Sequence, residues 1–173
     1  SQTAEELYRY RLLNAIGCSP DYIDLSNTIS IPLLDGWGKH RMQISSHNDS
    51  AFLYFNQGIN MFYGFHFIEA RASFKKAQEF DSSCAMAYLG EALTYGPSIN
   101  NPAYKLRPYV VGLIEKAKRF GFASTDYEKA LIEAQVIRYK ADTSEGFQKV
   151  NELYACTMKD LYARFSSNSD VGA

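Results

Sequence analysis

The 173-residue chain contains no CxxC pair, no HExxH, no glycine-rich phosphate loop and no G-x-S-x-G elbow. A zinc knuckle, a thioredoxin-type redox centre and the standard motif-borne hydrolase and nucleotide sites therefore lack their residues. Its three cysteines, Cys18, Cys84 and Cys156, stand far apart, and an odd count leaves at least one thiol free or bridged to another chain. Cys84, followed by Ala-Met-Ala-Tyr, reads as a small core residue. Neither sign of charge dominates: 18 basic and 19 acidic residues give a net charge of −1. No basic field is available for nucleic-acid phosphates, which excludes that partner. No apolar run approaches the ~20 residues of a membrane-spanning helix. "NAIGCS" (14–19) stands near a lipoprotein cleavage box, but "EELYRYRLL" before it is too polar for a signal sequence, so Cys18 reads as non-lipidated. Tryptophan is single, whereas Tyr (13) and Phe (11) are abundant enough to line a groove as well as fill a core.

What is present is helical periodicity. Thr3 and Glu6 form a capping box that opens a helix from Ala4 to Ile16, stopped by Gly17 and Pro20. From 21 to 46 the period fails, and β-branched residues and turn signals predict an extended segment packed on helices. Asn48, Asp49 and Ser50 are N-cap candidates for a helix ending at Gly64. A second helix follows in "HFIEARASFKKAQEF", with Phe67, Ala70, Phe74 and Ala77 inward and Arg71, Lys75, Lys76 and Glu79 outward. A third spans Ser83–Tyr95 and stops at Gly96-Pro97. "YVVGLIEKAKRFGF" is the fourth. Thr125 and Glu128 cap a fifth that runs to Tyr139, and a sixth covers Glu145–Phe165. The basic-acidic stretches "KKAQE" and "EKAKR" read as solvated helix faces. No hairpin turn between alternating runs occurs, so the expected class is all-α, in antiparallel pairs.

Self-comparison adds a beat. Tyr54 and Tyr88, Gly58 and Ala92, and Met61 and Tyr95 are each 34 positions apart. The first unit reads Tyr54-x2-Gln57-Gly58-x2-Met61, then Ala70-x3-Phe74-x2-Ala77, then Asp81-Ser82. This resembles the tetratricopeptide repeat, a helix–turn–helix unit, with Ser82 in place of the family's usual Pro and Gln57 in place of Leu. "CAMAYLGEAL", "GPSIN" and "YEKALIEAQVIRY" are similar to a set of uncharacterised bacterial proteins of that family, often exported and longer. The resemblance implies a right-handed superhelix of hairpins at 48–81, 82–122 and 125–165. Residues 1–47 would supply an N-terminal helix and extended arm, and 166–173 a polar tail or the start of a further repeat. It implies an N-terminal portion of a longer chain, a periplasmic or envelope location, and a homodimer through an exposed C-terminal end.

The resemblance also implies a concave groove lined by the first helix of each hairpin. Its positions here are Phe52, Phe55, Ile59, Phe62 and Tyr63, then Met86, Leu89 and Leu93. Phe55 and Ile59 stand where chaperone-binding members carry Lys and Asn, which disfavours a clamp for a peptide carboxylate. Two occupants are open: the chain's own "ISIPLLDGW" (29–37), or an extended apolar segment of a partner. Tyr95, Asn100, Asn101 and Tyr104 form a candidate polar pocket, with helix capping as the competing role. His40, His47 and Glu91 are the candidate metal or small-ligand site, with capping and ion pairing as the competing roles. The expectation is a non-enzymatic protein-interaction scaffold without a cofactor.

Overall fold

The computed structural model describes residues 31–97, 106–140, 147–168 and 170. The predicted N-terminal helix (4–16) lies outside them. The described residues hold six α-helices and no strand: α1 (Asp49–Tyr63), α2 (Phe67–Phe80), α3 (Ala85–Leu93), α4 (Pro108–Phe120), α5 (Asp126–Arg138) and α6 (Phe147–Arg164). A 3-10 turn, Gly121–Ala123, joins α4 to α5. None of these helices is long and apolar enough to cross a membrane.

The caps obey local chemistry. The Asn48 side chain accepts from the backbone N–H groups of Ser50 and Ala51, satisfying two donors at the start of α1. Thr125 and Glu128 close the expected capping box on α5. At the end of α1, Gly64 is the cap but keeps an ordinary φ of −80°. The left-handed residue is Phe65, at φ 62°. His66 N–H donates to Met61 O at 2.8 Å and Phe65 N–H to Phe62 O at 3.0 Å, a Schellman closure built on a phenylalanine rather than a glycine.

Consecutive helices pack on one another along the series, most extensively α1 on α2 and α3 on α4. Beyond these sequential contacts, α1 touches α3 and α3 touches α5. Phe74 of α2 sits at the crossing: a Cβ on Gly58 would come within 2.7 Å of its ring, and one on Gly90 within 2.5 Å. Gly58 and Gly90 thus leave the space that the Phe74 ring fills. Ala70, Ala77 and Ala117 are fully buried. Tyr54 stacks half-buried on Phe80, with ring centroids 5.6 Å apart.

Arg71 corrects the outward assignment on α2. It is 1% exposed, because α3 covers that face. Its Nε donates to Thr94 Oγ1 at 3.0 Å and its Nη2 to Thr94 O at 3.2 Å, and the guanidinium lies 3.6 Å over the Tyr95 ring. Hydrogen bonds and a π face therefore stand in for the lost water.

Candidate functional site: an apolar cavity beside a clamped arm

Residues 31–46 form no helix or strand. They lie against α1, where three carboxamides hold their backbone. Met42 N–H donates to Asn56 Oδ1 at 2.7 Å, and Asn56 Nδ2 donates back to Met42 O at 3.3 Å. One helical turn on, His40 N–H and His40 O make the same exchange with Asn60, at 3.2 and 2.9 Å. Gln57 accepts from Leu34 N–H at 2.7 Å and donates to Pro32 O at 3.1 Å. A carboxamide presents one acceptor and two donors, so it can mimic the missing neighbour of an extended strand. Gly38 is required at the closest approach: its φ is +132°, and a Cβ there would lie 2.2 Å from Asn60 Oδ1.

The arm is pinned again farther along. Ser45 N–H and its hydroxyl donate to Glu128, at 2.7 and 2.5 Å. The same carboxylate accepts from Thr125 N–H at 2.9 Å and Thr125 Oγ1 at 2.8 Å. Glu128 is 1% exposed, and these four bonds replace its hydration. Ser46 Oγ donates to Asp81 at 2.7 Å. Burial opposes ionisation of Asp81, but bonds from Ser83, Ser46 and the backbone outweigh it and hold its carboxyl below the ordinary value.

Beside the arm lies a cavity of about 400 Å³. Of the expected groove residues, Phe55, Ile59, Phe62 and Tyr63 of α1 and Met86, Leu89 and Leu93 of α3 all line it. Phe52 does not. Phe55, Ile59, Met86 and Leu89 are buried, Phe62 and Leu93 half-buried, and Tyr63 exposed. Burial and the nearby Asp170 carboxylate push the Tyr63 hydroxyl up to about 12. The expected filling segment behaves otherwise: among described residues, Met42 is the arm's contribution to the lining, and none of Ile31–Trp37 takes part. Ile31 is buried, and Trp37 sits edge-on to His66 with centroids 4.7 Å apart. The carboxamides direct that stretch across α1 rather than into the cavity.

Sequence reading missed the far wall. Leu131, Gln135 and Arg138 of α5 and Tyr154 and Met158 of α6 complete it. Gln135 and Arg138 look like ordinary polar helix residues, and their spacing of three was the available signal. Gln135 Nε2 donates to Tyr154 OH at 3.1 Å, and the Arg138 guanidinium lies 4.8 Å over the Tyr154 ring. Gln135 is 5% exposed, yet its Oε1 has no hydrogen-bond partner. Leaving such an atom dry costs roughly 1–3 kcal/mol. Arg138 donates to Pro97 O at 3.2 Å, and among the described residues no carboxylate pairs with it.

The remaining candidates scatter. His40 Nε2 meets Asp170 Oδ1 at 2.5 Å. His47 is exposed. Glu91, 1% exposed, accepts from Tyr109 OH at 2.6 Å and Gln78 Nε2 at 2.7 Å, with Lys75 Nζ at 3.8 Å. Among the described residues no three His, Cys, Asp or Glu side chains are placed to hold a metal ion. His40, His47 and Glu91 therefore form no common site; each is drawn to a separate partner or to solvent. Tyr95 is buried, edge-on to Tyr109, while Asn100, Asn101 and Tyr104 lie outside the described residues. No family model, curated protein or solved structure matches this chain.

Proposed function

We propose that the chain is a non-enzymatic binding scaffold of tetratricopeptide-like hairpins, stacked as a right-handed superhelix, whose inner face receives an apolar segment of a protein partner. The observation that carries the reading is the cavity shared by α1, α3 and α5, the first helices of three successive pairs. The contacts of α1 with α3 and of α3 with α5 support stacking by first helices. The arm supports the mode of recognition: α1 already holds a backbone without helix or strand by carboxamides.

A random peptide display selection tests this. Enriched peptides should be apolar, and their binding should fall at least about tenfold for the double variant Phe62→Ser/Leu93→Ser, which removes two half-buried lining side chains. Failure to enrich any peptide, or equal binding to a folded double variant, contradicts the reading.

A further inference from the structure

Two residues of opposite charge line the cavity, and they stand in different states. Asp170 is satisfied: its carboxylate meets His40 Nε2 at 2.5 Å and accepts from Tyr63 OH at 3.3 Å. Arg138 is half-buried, and among the described residues no carboxylate pairs with it. Neutral groups of two other lining residues fix it instead. Its Nη2 donates to Pro97 O at 3.2 Å, and its guanidinium lies 4.8 Å over the Tyr154 ring. A guanidinium carries five N–H donors, so one bond to a carbonyl leaves most of the fork for an anion. These contacts hold the cation at the wall without neutralising it. The greater part of the wall is apolar, with Phe55, Ile59, Leu89 and Leu131 among its residues. The volume of about 400 Å³ is in the range of small-molecule sites.

We infer that this cavity binds a medium-chain fatty acid, whose carboxylate pairs with Arg138 and whose alkyl chain lies along Phe55, Ile59, Leu89 and Leu131. The carboxylate is the planar, two-oxygen acceptor that a guanidinium fork matches. Pro97 and Tyr154 set that fork in advance, so less side-chain freedom is lost on binding. The alkyl chain removes apolar wall from water. At roughly 30 Å³ per heavy atom, the share of a water molecule in the liquid, a cavity of about 400 Å³ takes on the order of a dozen heavy atoms, the size of decanoate. A cationic amphiphile fits the charges poorly: it would meet the like charge of Arg138 and a carboxylate on Asp170 that two donors already hold. The inference rests on Arg138, which the scaffold reading does not use. A chain that binds the acid and selects no peptide keeps it, and failure to bind the acid leaves the peptide selection to decide the other reading.

Calorimetric titration of the full chain with decanoate tests it, beside decanol and decyltrimethylammonium, which keep the chain and change the head group. The expected result is saturable binding of decanoate, with decanol weaker by roughly tenfold or more and the ammonium weaker still. Arg138→Gln should bring decanoate down to the level of decanol and leave decanol unchanged. The head-group comparison uses the unaltered protein, so it decides the matter even if the variant fails to fold. No saturable binding of decanoate, or binding of decanol or the ammonium as tight as that of the acid, overturns the assignment. So does a folded Arg138→Gln that keeps the preference for the acid, or an acetylated apolar peptide with a free C-terminal carboxylate that binds where decanoate does not.

Discussion

At the scale of single residues, Phe65 holds a left-handed φ of 62° where the chain turns from α1 into α2. A side chain with a Cβ tolerates this at a cost of about 1 kcal/mol or more relative to glycine. Phe65 is 62% exposed, so little packing is lost on its removal. Phe65→Gly should therefore raise stability by roughly 0.5–1 kcal/mol in urea unfolding. A lower midpoint would show that its edge contact with Phe67 matters more. Cysteine chemistry gives a second check. Burial pushes the Cys84 thiol up to about 11, whereas Cys156 is exposed. In a Cys18→Ser background, Ellman's reagent should modify one thiol quickly and the other only on unfolding. Two fast thiols would contradict the packing around Cys84.

At the scale of elements, the arm is the part held by polar bonds. Asn56→Ala/Asn60→Ala removes four bonds to its backbone and should cost about 2–4 kcal/mol. Limited proteolysis should then cut between 31 and 46 well before any helix. Cleavage at the wild-type rate would mean that the carboxamides do not hold the arm. Asp81 gives this contact a pH signature. Its folded value is depressed, so its contribution is present above the unfolded value of about 4 and lost as pH falls through the folded value. Asp81→Asn should therefore destabilise by roughly 0.5–1 kcal/mol at neutral pH, with the difference closing in acid. A difference that stays constant into acid would reject an ionic role. Helix positions were legible because caps and apolar period are local: Asn48, Thr125 and Glu128 act within a few residues of themselves. The role of Asn56, Gln57 and Asn60 was not legible, because their partners lie 14 to 25 positions away on a segment without period. Arg71 misled for the same reason: its burial is set by Thr94 and Tyr95, which follow α3 some 23 positions on.

At the scale of the whole molecule, α1, α3 and α5 share one apolar cavity. The α1 and α3 walls were legible, since seven of the eight expected positions meet there and only Phe52 stands aside. The α5 and α6 wall was not, because it is assembled by packing rather than marked by a motif. The four methionines of the chain allow a direct test. Met42, Met86 and Met158 line the cavity, on the arm, α3 and α6, while Met61 is fully buried and does not. Methyl-labelled methionine spectra recorded under xenon, which enters apolar cavities, report on all four at once. The account predicts saturable shifts at Met42, Met86 and Met158 with Met61 unmoved. No shift at those three, or a shift as large at Met61, would contradict a common cavity.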